Sequence, residues 1–124
     1  MILADTSVWV RGLMGREGVR STLDALLRDH AIGGHELVDG ELLAGDTGGR
    51  ERMLRDYRLL PWAHRLDHDR IATWARQRRL CGCGVGWIDL HLLAAAEAAG
   101  WLLWTADERL AALARELHRA WRPA

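Results

Sequence analysis

The chain opens on a short apolar run, Ile2-Leu3-Ala4, that stops on a carboxylate, Asp5, followed by two hydroxyls, Thr6 and Ser7. Such a run is too short for a helix and reads as a buried strand. Ser7 is placed to cap a following helix through Val8, Trp9, Val10 and Leu13. Far along the chain the arrangement recurs, with Trp101-Leu102-Leu103-Trp104 running into Thr105-Ala106-Asp107. In a parallel α/β sheet, ligands bind beyond the carboxyl ends of the strands. Two strands that end on acids at opposite ends of the chain therefore imply one acidic site built from distant segments.

Between these two stretches, helical and strand patterns alternate. Val19 to His30 carries Leu23, Leu26 and Leu27 among charges and reads as an amphipathic helix. Ala31 to Gly34 is a weak second strand. Helices follow over Glu36 to Gly45 and about Arg50 to Tyr57, then a short third strand at Leu59-Leu60-Pro61-Trp62, with Pro61 marking an edge. Asp67 starts a helix that runs through Ile71, Trp74, Ala75 and Leu80. Cys81 to Gly86 holds three glycines in six residues and must be a loop. Ile88 to Ala99 is apolar almost all round, which means a helix buried against a sheet, closed by Gly100. Trp101 to Thr105 is the clearest later strand, Glu108 to Leu117 a helix, and Ala120-Trp121 a last short strand. The alternation implies a parallel sheet covered on both faces, in one domain of 124 residues.

Four acids stand out. Asp5 and Asp107 end strands, and each also has the ordinary reading of a helix cap. Glu41 shares a helical face with Leu37 and Val38, where a carboxylate is costly unless it is paired with a cation. Asp89 interrupts the apolar helix in its first turn, where negative charge is worth roughly 0.3–1 kcal/mol. His91, two positions on, points elsewhere on that helix and reads as a core or surface histidine. Together the four make one pattern. Clustered carboxylates repel one another unless a cation lies between them. Oxygen ligands select Mg²⁺ or Mn²⁺, ions that activate water and stabilise the oxygens of a phosphoryl displacement.

Composition excludes several other classes. Formal net charge is zero, so no global field advertises a polyanionic partner. All 17 basic residues are arginine. A GC-rich genome explains that blandly, and bidentate phosphate binding is the functional alternative. Without lysine there is no phospho-accepting receiver site and no phosphate-binding loop. Gly84-Val85-Gly86 does not follow a strand, so it is not a dinucleotide cradle. Cys81 and Cys83 match no zinc or disulfide pattern and lack an evident histidine partner for nucleophilic chemistry. The seven tryptophans read as core packing, without a site role. No signal peptide and no membrane-length apolar run is seen, so a cytoplasmic protein away from membranes is expected.

The segments Ile2-Leu3-Ala4-Asp5-Thr6-Ser7, Glu41, Gly84-Val85-Gly86-Trp87-Ile88-Asp89 and Thr105-Ala106-Asp107 resemble, in order and spacing, the PIN-domain ribonucleases, and most closely the VapC toxins. The resemblance spans essentially residues 1–124. It implies a three-layer α/β/α fold with a central parallel sheet ordered 3-2-1-4-5, which sets Asp5 and Asp107 at the switch point. It also implies that Asp5, Glu41, Asp89 and Asp107 bind Mg²⁺ or Mn²⁺ and are the catalytic acids. Thr6, Ser7 and Thr105 would support them. The implied activity is cleavage of RNA phosphodiester bonds, usually by a homodimer, under control of a small VapB-type antitoxin. The alternative is a PIN-like module with a weakened site that binds RNA or protein. A DNA-cutting enzyme is a further rival.

Three departures from the family pattern leave the carboxylates intact. Leu110 replaces an aromatic, no lysine is present, and Gly34-His35-Glu36 is an uncommon way into its helix. Residues 50–79 hold nine arginines against four acids, a surplus of five positive charges. Arg76, Arg78 and Arg79 within that stretch, with Arg11 after the first strand, are the candidate RNA contacts.

Overall fold

The first strand, β1, spans Ile2–Ala4 and is buried along its whole length. This computed structural model describes the backbone of residues 1–124 and every side chain but that of Glu17. β1 lies at the centre of a parallel sheet, between β2 (Ile32–Gly33) and β3 (Leu102–Trp104). Ile2 pairs with Ile32 on one side and Leu102 on the other, and Ala4 pairs with Trp104. Strands buried on both faces are expected to be apolar throughout rather than alternating, and these are.

The helices are α1 (Thr6–Leu13), α2 (Glu17–Arg28), α3 (Glu36–Ala44), α4 (Glu51–Tyr57), α5 (His68–Gln77), α6 (Trp87–Ala99) and α7 (Glu108–Glu116). Two isolated parallel bridges, Gly34 with Trp62 and Leu103 with Ala120, extend the sheet by one residue pair at each edge. Counting those bridges as strands, the order is the expected 3-2-1-4-5. The bridge at Trp62 is reduced for an identifiable reason. Pro61 has no N–H to give, so this bridge uses its carbonyl, which accepts from Gly34, and the N–H of Ala63, which donates back to Gly34. The other forms where Leu103 donates to Arg119 and accepts from Trp121.

Right-handed crossovers fix the layers. The chain runs outward from β1 through β2 to Trp62, which carries α1 to α4 to one face. It then crosses back over β1 to β3 and Ala120, which carries α5, α6 and α7 to the other. The packing agrees: α1 touches α2 and α3, while α5 packs on α6, and α6 and α7 pack on β3. Leu3, Leu93 and Leu103 meet in the core with at most 1% exposure. Burying each such side chain contributes about 1.5–3 kcal/mol. The core stretch of α6, Leu90 to Ala96, is entirely buried, as its apolar sequence requires. No helix among the described residues is long and apolar enough to cross a membrane.

Candidate active site

β1 and β3 are neighbours, and the chain's winding reverses between them. Their carboxyl ends therefore open a crevice. Asp5 begins it. Its backbone N–H continues the sheet by donating to Trp104 at 3.0 Å, and its side chain is 4% exposed. One carboxylate oxygen, Oδ1, accepts from Ser7 Oγ at 2.5 Å and from the Val8 N–H at 3.2 Å. The other, Oδ2, accepts from Thr105 Oγ1. The expected cap is thus corrected: Asp5 caps α1, and Ser7, inside the helix, turns back to hold Asp5.

The two hydroxyls are themselves engaged from the far strand. Ser7 Oγ accepts from the Ala106 N–H at 3.1 Å, and Thr105 Oγ1 accepts from the Asp107 N–H at 3.0 Å. Each hydroxyl has one proton, and with an N–H already pointing at its oxygen that proton goes to Asp5. A carboxylate that accepts both fits this ring in its ionised form. Burial pushes the Asp5 carboxyl up, against the hydroxyls of Ser7 and Thr105 and the N–H groups of Val8 and Ser7, which pull it back.

The other three acids come from both layers. Asp107 caps α7, its Oδ1 accepting from the N–H groups of Arg109 at 2.9 Å and Leu110 at 3.1 Å. Glu41, on α3, accepts from Thr6 Oγ1 at 2.6 Å, which joins α1 to α3. It is exposed, which corrects the expectation of a carboxylate on a buried stripe: Val38 and Leu42 take the core, and Glu41 lies at the edge of that face. Asp89, half-buried in the first turn of α6, is pushed up to about 6, first by burial and then by Asp5, Asp107 and Glu41. Asp5, Asp107 and Glu41 thus all lie close enough to act on Asp89. Among the described residues, the salt bridges are Arg65–Glu36 and Arg78–Glu97, and neither involves the four.

No salt bridge offsets this charge among the described residues, and oxygen donors of this kind suit a divalent cation. No three His, Cys, Asp or Glu side chains among the described residues are gathered tightly enough to hold a bare ion between them. The donor set therefore fits an ion that keeps part of its water shell, as Mg²⁺ does when it binds through one or two carboxylates.

Comparison with known proteins places the whole chain. The PIN domain profile matches residues 2–116. The chain belongs to the PIN-domain family. Ribonuclease VapC32 of Mycobacterium tuberculosis, in strains CDC 1551 / Oshkosh and H37Rv, is 38% identical over 94% of this chain and 92% of its own length. Among solved structures, PAE2754 from Pyrobaculum aerophilum superposes with a TM-score of 0.58 at 17% identity, over 90% of this chain and 77% of its own. At that identity the likeness speaks for the fold alone.

The arginines expected at RNA are dispersed. Arg11 is exposed at the end of α1. Arg76 and Arg79 are exposed at the end of α5. Arg78 is tied to Glu97, which also accepts from Trp74 Nε1. Glu97 lies eight residues beyond Asp89, about 12 Å along α6. The sequence reading passed over Arg109. Its guanidinium lies against the loop ahead of α6, where a side chain on Gly84 would meet it at 2.8 Å. No local signal announces this, because an arginine in the first turn of a helix is commonplace. Trp87, expected with the other tryptophans in the core, is 40% exposed.

A separate groove of about 430 Å³ lies between α1, α2 and α4, floored by Trp9, Leu23 and Tyr57. Its walls also carry Arg20, Asp24, Arg52 and Asp56, and none of the four acids lines it.

Proposed function

We propose that the chain is a divalent-metal-dependent endoribonuclease and the toxin of a toxin–antitoxin pair. The observation that carries this reading is the gathering of Asp5, Asp107 and Glu41 around Asp89, whose carboxyl they help to raise, with no salt bridge to any of the four among the described residues. The relatives named ribonuclease VapC32 support it. Asp5, Glu41, Asp89 and Asp107 would hold Mg²⁺ or Mn²⁺. Such an ion, when bound, supplies a polarised water and charge stabilisation for phosphodiester hydrolysis.

The chain's own residues then have definite tasks. Ser7 and Thr105 fix the lone pairs of Asp5, and Thr6 steadies Glu41. Asp89 carries a proton for part of the time near pH 6 and must release it before it can bind a cation. Arg11, Arg76, Arg78, Arg79 and Arg109 are the candidates for RNA phosphates. An antitoxin of VapB type would silence the site by laying a basic side chain against the four carboxylates. The active form is proposed to be a homodimer.

The second reading is a PIN-like module that binds RNA or protein without cutting. The wide spacing of the acids favours it. Incubating the purified protein with total RNA in Mg²⁺, in Mn²⁺ and in chelator, beside Asp5→Asn, separates the two. Metal-dependent cleavage that disappears in Asp5→Asn supports the enzyme. Binding without cleavage in every condition supports the module, and cleavage of DNA instead of RNA changes the substrate.

A further inference from the structure

Trp87 is the most exposed of the seven tryptophans, at 40%. Its ring is nonetheless held in place. His68, at the start of α5, lies 4.9 Å from it at a 46° tilt. His91, one turn further along α6 and buried, meets it edge-on at 5.1 Å and 88°. Both separations fall in the range of favourable aromatic pairs. Two neighbours brace the indole while part of its surface stays open, and among the described residues its N–H donates to no protein acceptor.

Trp87 begins the helix that carries Asp89. Two residues advance a helix by about 3 Å and turn it by about 200°. The indole therefore leaves α6 on the side away from Asp89, at the same end of the helix. The exposed apolar surface here is small, Trp87 with Ile88, and its polar surroundings include His68, which is exposed. That is much less than a stable protein interface buries.

We propose that Trp87 is a stacking platform for an unpaired nucleobase of the substrate, close along the strand to the phosphate that is cut. The proposal rests on the reading of the chain as an RNA-cutting enzyme and names how that site grips a single strand. Stacking tolerates any base, because every base has a π face. It supplies affinity that a chain of zero net charge does not gain from a global field.

The test uses full-length protein in an Asp5→Asn background, so that RNA is bound and not consumed. The probe is a labelled ten-nucleotide single strand of mixed sequence, with a companion set carrying one abasic residue at each position. Trp87→Ala is expected to weaken binding by roughly 5- to 100-fold, and Trp87→Phe to retain most of the affinity. One abasic position should weaken the parent similarly and have no further effect in Trp87→Ala. Equal affinity and an unchanged abasic scan in Trp87→Ala would overturn the proposal. If that variant instead changed the protein's mass in solution, Trp87 would belong to a contact between proteins. Should the parent bind no RNA and the wild type cut none, the functional reading itself falls and the platform with it. That result is distinct from a wild type that cuts RNA beside an indifferent Trp87→Ala.

Discussion

Asp89 is held among three other carboxylates in a half-buried turn, and its behaviour with pH follows from that position. Its carboxyl ionises near pH 3.8 when free and at about 6 in the fold, chiefly through burial and then through Asp5, Asp107 and Glu41. Between those values the folded chain binds more protons than the unfolded one, so this residue lowers stability as pH rises, with the full penalty present above about 6. Asp89→Asn should therefore unfold at a higher temperature than the wild type at pH 7.5 in chelator. The difference should shrink as the pH falls through 6 toward 4. Adding Mg²⁺ should raise the wild-type midpoint more than the variant's. Thermal melts at two pH values, with and without Mg²⁺, check all three. A variant that melts with the wild type at pH 7.5 would mean that the repulsion is relaxed in solution. Which residues make up this group was legible in the sequence, because strand ends and interrupted apolar helices are local patterns. Their exposure was not. Glu41 shares a helical face with Val38, yet it lies at the rim of that face because Leu42 and Val38 fill the core beneath it.

At the scale of elements, Ser7 and Thr105 tie α1 to the turn between β3 and α7. Each hydroxyl donates to Asp5 and accepts an N–H of that turn, Ser7 from Ala106 on the opposite segment and Thr105 from Asp107 on its own. Thr105→Val keeps the shape and removes both functions at that position. Orienting partners of metal-binding carboxylates typically matter by 10–100-fold in metal affinity or activity. The expected outcome is a shift of that order in the Mg²⁺ concentration for half-maximal cleavage, with little change in the circular dichroism spectrum. An unshifted metal requirement would make the bond structural only. Apolar periodicity located α1 to α7 to within a few residues, and β1 and β3 were plain as short apolar runs. β2 is much fainter because two of its neighbourhood's residues are glycine. A side chain at Gly33 would meet the Trp101 ring at 2.4 Å and the Pro61 carbonyl at 2.7 Å. Close approach between neighbours of the sheet explains that glycine, and no window of the sequence shows which side chains will crowd it. The sequence offered both Asp5 and Ser7 as caps of α1, and what decides between them is not local. Ser7 engages Asp5 and the N–H of Ala106, and Ala106 lies 99 residues away.

Over the whole molecule, positive and negative charges balance, so RNA must be gripped by local arrangement rather than by a general field. The fold separates the candidate arginines in a way that composition could not show. Arg78 is engaged with Glu97, and such a partly exposed pair contributes at most about 1 kcal/mol. Its loss should appear, if anywhere, in stability. Arg76 and Arg79 are exposed at the far end of α5, whereas Arg109 lies over the loop that leads into the helix of Asp89. Each phosphate neutralised on a single strand contributes about 0.7 to the slope of log affinity against log salt. Replacing Arg76 and Arg79 by Gln should therefore lower that slope by about 1.4 if both touch phosphate, together with a loss of affinity. Arg109→Gln should lower it by about half as much, and Arg78→Gln should change it least. Titrations of a single-stranded RNA at several salt concentrations, in the Asp5→Asn background, read the slopes directly. If the Arg76 and Arg79 double variant keeps the wild-type slope while Arg109→Gln loses its share, the strand does not follow α5. It then crosses the amino ends of α6 and α7, where Trp87, Asp89 and Asp107 lie, and the surplus of arginine over residues 50–79 is a solvated helix surface.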